Sequence, residues 1–90
     1  MNALAKNAFE IWQAGVEAVR PQRLFDSLRT SDLLKQLASA ERIVVVGCGK
    51  AGASMAEAFE TLASADLNKI VGLVNVPADA VRPLRKIRLH

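Results

Sequence analysis

Ninety residues can bury one modest core, which excludes a complete two-sided enzyme cleft within this chain alone. A hydrophobic share of 51% against 23% charged residues excludes a disordered chain, and a net charge of +3 without a recognition module or interleaved aromatics points away from nucleic acid. A single cysteine, Cys48, excludes an internal disulfide and implies a reducing compartment. With no window near the roughly 18 apolar residues of a membrane span, the expected location is cytoplasmic, away from membranes.

From Ala3 to Val19, the residues Leu4, Ala8, Ile11, Trp12, Gly15 and Val19 recur at three- and four-residue steps, the pattern of an amphipathic helix. Pro21 ends that helix or opens the next, because it has no N–H to donate but fits a first turn. Leu24, Phe25 and Leu28 form a second short apolar face. Thr30, Ser31 and Asp32 then offer N-cap chemistry for a helical turn or two through Leu34 and Leu37.

The pattern changes at Glu41. The run Arg42-Ile43-Val44-Val45-Val46 is β-branched without alternation, which predicts a strand buried on both faces, as in a parallel sheet. Gly52, Met55, Phe59 and Leu62 fall on one face of a helix over about 51–65, with Glu57 and Glu60 expected to point elsewhere. Ile70 to Val74 supplies a second buried strand, and the strand, helix and strand together form a right-handed βαβ unit. Lys86 to Leu89 is one more short candidate strand. The fold class is therefore α/β, a helical lead-in over 1–40 followed by a Rossmann-like parallel βαβ unit over 41–90. Two or three parallel strands leave an edge and a face uncovered, so this unit is expected to be the N-terminal portion of a larger two-domain enzyme. Arg82, Arg85, Lys86 and Arg88 cluster without a neighbouring acid and read as a solvated segment.

Gly47-Cys48-Gly49-Lys50-Ala51-Gly52 fits G-x-G-x-x-G and stands between a strand and a helix N-terminus, where that pattern has physical meaning. The first glycine is expected to permit the tight turn and the second to let backbone N–H groups approach an anion. The third would let helix and strand pack closely. Unpaired amides and the positive end of the helix dipole make such a turn a phosphate site, and Lys50 adds a cation. Cys48 reads as a small filler, since no His or acid is placed to activate it. A phosphate-binding P-loop is excluded, because Val44 and Ala51 stand where a glycine and a Ser or Thr are required. A nicotinamide site would place an acid about twenty residues beyond the glycines. Asn75 holds that position and Asp79 follows only after Pro77, so a nicotinamide-binding site is one alternative, disfavoured by the missing acid. A sugar-phosphate-binding, isomerase-like domain is the other, although the stretch after the second strand has no hydroxyl side chain to grip a sugar phosphate.

Residues 8–21 together with Arg42 to Ala56 resemble the N-terminal part of class II glycerate kinases, some of which are labelled hydroxypyruvate reductases, and the likeness extends to about residue 75. The resemblance implies ATP-dependent, Mg²⁺-assisted phosphorylation of D-glycerate to 2-phosphoglycerate in a cleft between two α/β domains. It implies that Lys50 meets phosphate or substrate charge as the catalytic cation, with Gly47, Cys48, Gly49, Ala51 and Gly52 forming the phosphate- and substrate-binding turn. It assigns no metal ligand to these residues. The family's glycine-containing turn after the second strand is missing from Asn75 to Val81. The expected partners are glycerate and nucleotide, with a homodimer possible, and the 90 residues alone are expected to be inactive.

Overall fold

The computed structural model describes residues 2–90. Helix α1 spans Ala3–Ala18, and Asn2 caps it by accepting the Ala5 N–H at 2.8 Å through its side-chain oxygen. Pro21 sits in the first turn of α2, Pro21–Asp26, where its missing donor costs nothing. Helix α3 covers Asp32–Ser39. Ser31 precedes it, but its hydroxyl turns back to the Leu28 carbonyl at 2.5 Å rather than capping the helix that follows. None of these three helices contributes a buried residue.

Strand β1 is Ile43–Cys48, and helix α4 is Gly52–Leu62. A 3₁₀ segment at Ser64–Lys69 leads into β2, Ile70–Asn75; a short 3₁₀ turn at Ala78–Ala80 precedes β3, Ile87–Leu89. The three strands form one parallel sheet in the order β1-β2-β3, with Ile43 beside Ile70 and Gly72 beside Ile87. Beyond β3, the His90 N–H donates to the Val74 carbonyl at 3.0 Å and the Val76 N–H donates to the His90 carbonyl at 2.9 Å.

The core lies between α4 and one face of this sheet. Ile43, Ile70, Val74, Ile87 and Leu89 meet Ala53, Ala56 and Ala63 there. Alanine on the inner side of α4 lets the helix axis approach the strands closely, so branched side chains of the sheet fill the space that large helical side chains would otherwise take. The α/β class with a helical lead-in and a parallel sheet is what the structure contains. Burial on both strand faces is not. Val44 and Val46 are 63% and 78% exposed, and Val71 and Leu73 beside them are also exposed. The β-branched run encodes a strand, but whether helices cover both its faces depends on the path of the chain, and here α4 packs on one face only.

The lead-in is tied to the sheet by Lys69. Its ammonium pairs with Asp66 at 2.9 Å and donates to the carbonyls of Leu37 at 3.3 Å and Ala38 at 2.8 Å, near the C-terminal end of α3. Both charged partners are largely shielded from water, and a cation at a helix C-terminus also opposes the helix dipole. Lys69→Met should therefore cost about 1.5 kcal/mol, read by calorimetry as a fall of roughly 6–12 °C in Tm. No helix among the described residues is long and apolar enough to cross a membrane.

Candidate functional site

The Gly-rich segment forms the corner at which β1 gives way to α4. Gly47 and Cys48 are still strand residues, paired with Val74 and Asn75 of β2. The chain reverses at Gly49, which has a φ of 133°, a region L-residues rarely adopt. The turn therefore depends on the second glycine, not on Gly47 as the motif suggests. Gly47 sits in extended strand, where an added Cβ would make only ordinary contact with Val74. Gly49 also does not offer its N–H to a ligand, because that group donates to the Asn75 carbonyl at 2.9 Å.

The third glycine does what the motif requires. A Cβ on Gly52 would lie 2.9 Å from methyl groups of both Val74 and Val76, so only hydrogen lets α4 start this close to β2. The Gly52 N–H closes the turn onto the Gly49 carbonyl at 3.1 Å. The amides of Lys50, Ala51, Ala53 and Ser54 find no protein acceptor among the described residues. Ala51 stands at the N-cap of α4 with no side chain able to cap it, and no acid lies in the first turn. Donors that Ser, Thr or Asp would usually satisfy are thus left without a protein partner at the positive end of the helix, those of Lys50, Ala51 and Ser54 on exposed residues and that of Ala53 on a buried one.

Lys50 is exposed at the tip of this corner and pairs with no acid among the described residues. Ala51 is exposed beside it, and Ser54 adds an exposed hydroxyl one turn on. The Cys48 thiol is free and exposed. With Phe25, Met55 and Phe59 it lines an apolar cavity of about 200 Å³ next to the corner. The arrangement can receive an oxyanion through the amides of the exposed residues Lys50, Ala51 and Ser54 and one mobile ammonium. Asn75 ends β2 exposed, and its carbonyl holds the loop; Asp79 lies in the 3₁₀ turn beyond Pro77. Among the described residues there is no group of three His, Cys, Asp or Glu side chains that could hold a metal ion.

Two features escaped the sequence pattern. The amide of Ser54 extends the donor set beyond the motif; the general rule that a helix leaves its first N–H groups orphaned is the signal that finds it. The other is Glu60, expected on the outer face of α4 but in fact 3% exposed. Its carboxylate accepts the N–H groups of Arg85, Lys86 and Ile87 at 3.0, 2.7 and 2.8 Å. Burial pushes this carboxyl up, but the three amides and the nearby Arg85 charge outweigh it and hold the group below the usual glutamate range. The four basic side chains of the tail, Arg82, Arg85, Lys86 and Arg88, are exposed as expected, and Arg82 makes a solvent-exposed pair with Glu57 of α4.

A family model described as a domain of unknown function (DUF4147) matches residues 7–90 of the chain. No curated protein and no solved structure matches it.

Proposed function

Because this chain belongs to the DUF4147 family, whose match spans the whole corner, we propose that the corner receives a phosphate group. In the complete protein this would serve ATP-dependent phosphorylation of D-glycerate to 2-phosphoglycerate. The observation that carries the reading is the set of three unpaired amides on exposed residues at an uncapped helix start, with an unpaired lysine at the same place. The resemblance to class II glycerate kinases supplies the substrate.

ATP supplies the phosphoryl group. The chain's part is to position it and neutralise its charge. Phosphoryl transfer spreads negative charge over the equatorial oxygens of the transferred group, and fixed donors aimed at those oxygens stabilise that charge without reorganising. The amides of Lys50, Ala51 and Ser54 are such donors, held in place by the Gly49–Asn75 bond and by the contact of Gly52 with β2. The Lys50 ammonium follows the charge on a flexible stem. With no metal-binding cluster among the described residues, every interaction assigned to this chain comes from nitrogen donors.

In the complete protein, Lys50→Ala should lower the rate of glycerate phosphorylation by about 100-fold or more. Stability should stay within about 0.5 kcal/mol, because the side chain is exposed and unpaired. Undiminished turnover would remove Lys50 from the chemistry. Calorimetric titration with ATP and with a hexose phosphate separates the kinase reading from a sugar-phosphate site, since only the former requires heat on addition of the nucleotide.

A further inference from the structure

The outer face of the sheet changes character at its carboxyl edge. On the face opposite α4 the register sets Val44 beside Val71 and Val46 beside Leu73, with Arg88 of β3 beyond Leu73. The last row is polar throughout. Cys48 pairs with Asn75. The His90 N–H donates to the Val74 carbonyl and the Val76 N–H to the His90 carbonyl, which sets His90 opposite Asn75 in the same parallel register. Ile43, Val74 and Leu89 are buried against α4, so alternation along each strand turns Cys48, Asn75 and His90 to the other face, and all three are exposed. A thiol, a carboxamide and an imidazole therefore stand in one line across the three strand ends, beside the Gly49 turn.

We propose that this row is the acceptor side of the site and that His90 is its catalytic base, taking the proton of the hydroxyl that is phosphorylated. The proposal rests on the phosphoryl-transfer reading of the corner. In open α/β sheets ligands bind outside the carboxyl ends of the strands, whatever covers the faces, and that edge is where the row lies. Neighbouring strands are about 4.8 Å apart, which puts His90 about 10 Å across the edge from Cys48. That gap accommodates an oxyanion on the corner, an attacking hydroxyl about 3–3.5 Å from it and a base about 2.6–3.2 Å from the hydroxyl. Of the side chains in the row, only an imidazole ordinarily changes charge between about pH 5 and 8, and Asp79 lies beyond Pro77 in the 3₁₀ turn. Asn75, between thiol and imidazole, offers both a donor and an acceptor to a second polar group of a small hydroxy acid. In the step, the hydroxyl oxygen bonds to the γ-phosphorus and the bond from that phosphorus to the bridging oxygen breaks. ADP leaves with the electron pair, and the hydroxyl proton passes to a ring nitrogen of His90 and from there to solvent.

The test is steady-state phosphorylation of D-glycerate by the complete protein carrying His90→Gln or His90→Ala, with calorimetric titration of ATP alongside. Both variants should lose about 100-fold in kcat. ATP affinity should stay as in the native protein, because the Gly49 turn draws only on the backbone of β2. The side chain is exposed, so neither substitution should disturb folding. Free imidazole should restore part of the rate to His90→Ala and none to Lys50→Ala. Undiminished kcat in both variants of a protein whose native form phosphorylates glycerate would overturn the base and leave the corner standing. A rate that falls together with ATP affinity and does not respond to imidazole would overturn it as well, by making His90 a support of the strand end. A native protein that binds ATP yet leaves glycerate untouched would overturn both the base and the kinase reading.

Discussion

Glu60→Ala is expected to lower the melting temperature by roughly 12–24 °C, the largest stability effect of any single substitution considered for this chain. The carboxylate is buried and is the acceptor for three successive amides, those of Arg85, Lys86 and Ile87. Alanine leaves all three donors without that partner, the Ile87 N–H in a buried place and those of Arg85 and Lys86 in partly buried ones, a loss of about 3 kcal/mol. Glu60→Gln keeps one acceptor oxygen but loses the charge, and should lie between the two. The acid limb of the stability curve provides a second readout. An unfolded glutamate titrates near about 4.3, and the folded group lies lower. Its contribution is therefore complete above the unfolded value and disappears as pH falls through the folded one. Denaturant titrations between about pH 3 and pH 6 should show that loss in the native chain and a shallower slope in Glu60→Gln. An unchanged slope would remove Glu60 as its source.

The second large effect concerns ligand binding. Gly52→Val should weaken phosphate or ATP binding by about 100-fold, because donors displaced by an ångström lose most of their grip on a fixed oxyanion. The new Cβ would press on Val74 and Val76 at 2.9 Å, short branched side chains that cannot fold away as a long flexible one would, so the start of α4 is expected to move away from β2. Overpacking of this kind also costs about 1–3 kcal/mol of stability. Gly47→Ala is the matched control. It lies in the same motif, yet its Cβ would sit 3.8 Å from Val74 and its φ is not positive, so binding should be unaffected. Calorimetric titration of both variants separates a geometric role for Gly52 from a general need for glycine.

The elements themselves were legible because each rests on a local signal. Periodic apolar residues mark α1, β-branched runs mark β1 and β2, and Pro21 opens α2 where its missing N–H is harmless. The Gly-rich corner was equally legible, since strand, turn and helix follow one another within a few residues. What failed was everything set by the path of the chain. Val44 and Val46 carry the same β-branched signature whether or not a helix crosses them. A helical wheel places Glu60 by polarity, and nothing near it in sequence announces that the segment before β3 will cross α4 with three amides in need of an acceptor. The division of labour among the glycines was misread for a related reason: Gly47 is absorbed into the pairing with β2, which moves the reversal two residues on.

The corner does not hold its own shape; it borrows it. The Gly49 amide hangs from the Asn75 carbonyl, the next residue, Val76, is tied to His90 at the end of the third strand, and that strand is suspended at its entrance from the carboxylate of α4. A single thread of hydrogen bonds thus runs from the rear of the helix, through the sheet, back to the helix's own front. Loss of the Glu60 anchor should therefore loosen the turn at Gly49, at the other end of that thread, and with it the proposed oxyanion site.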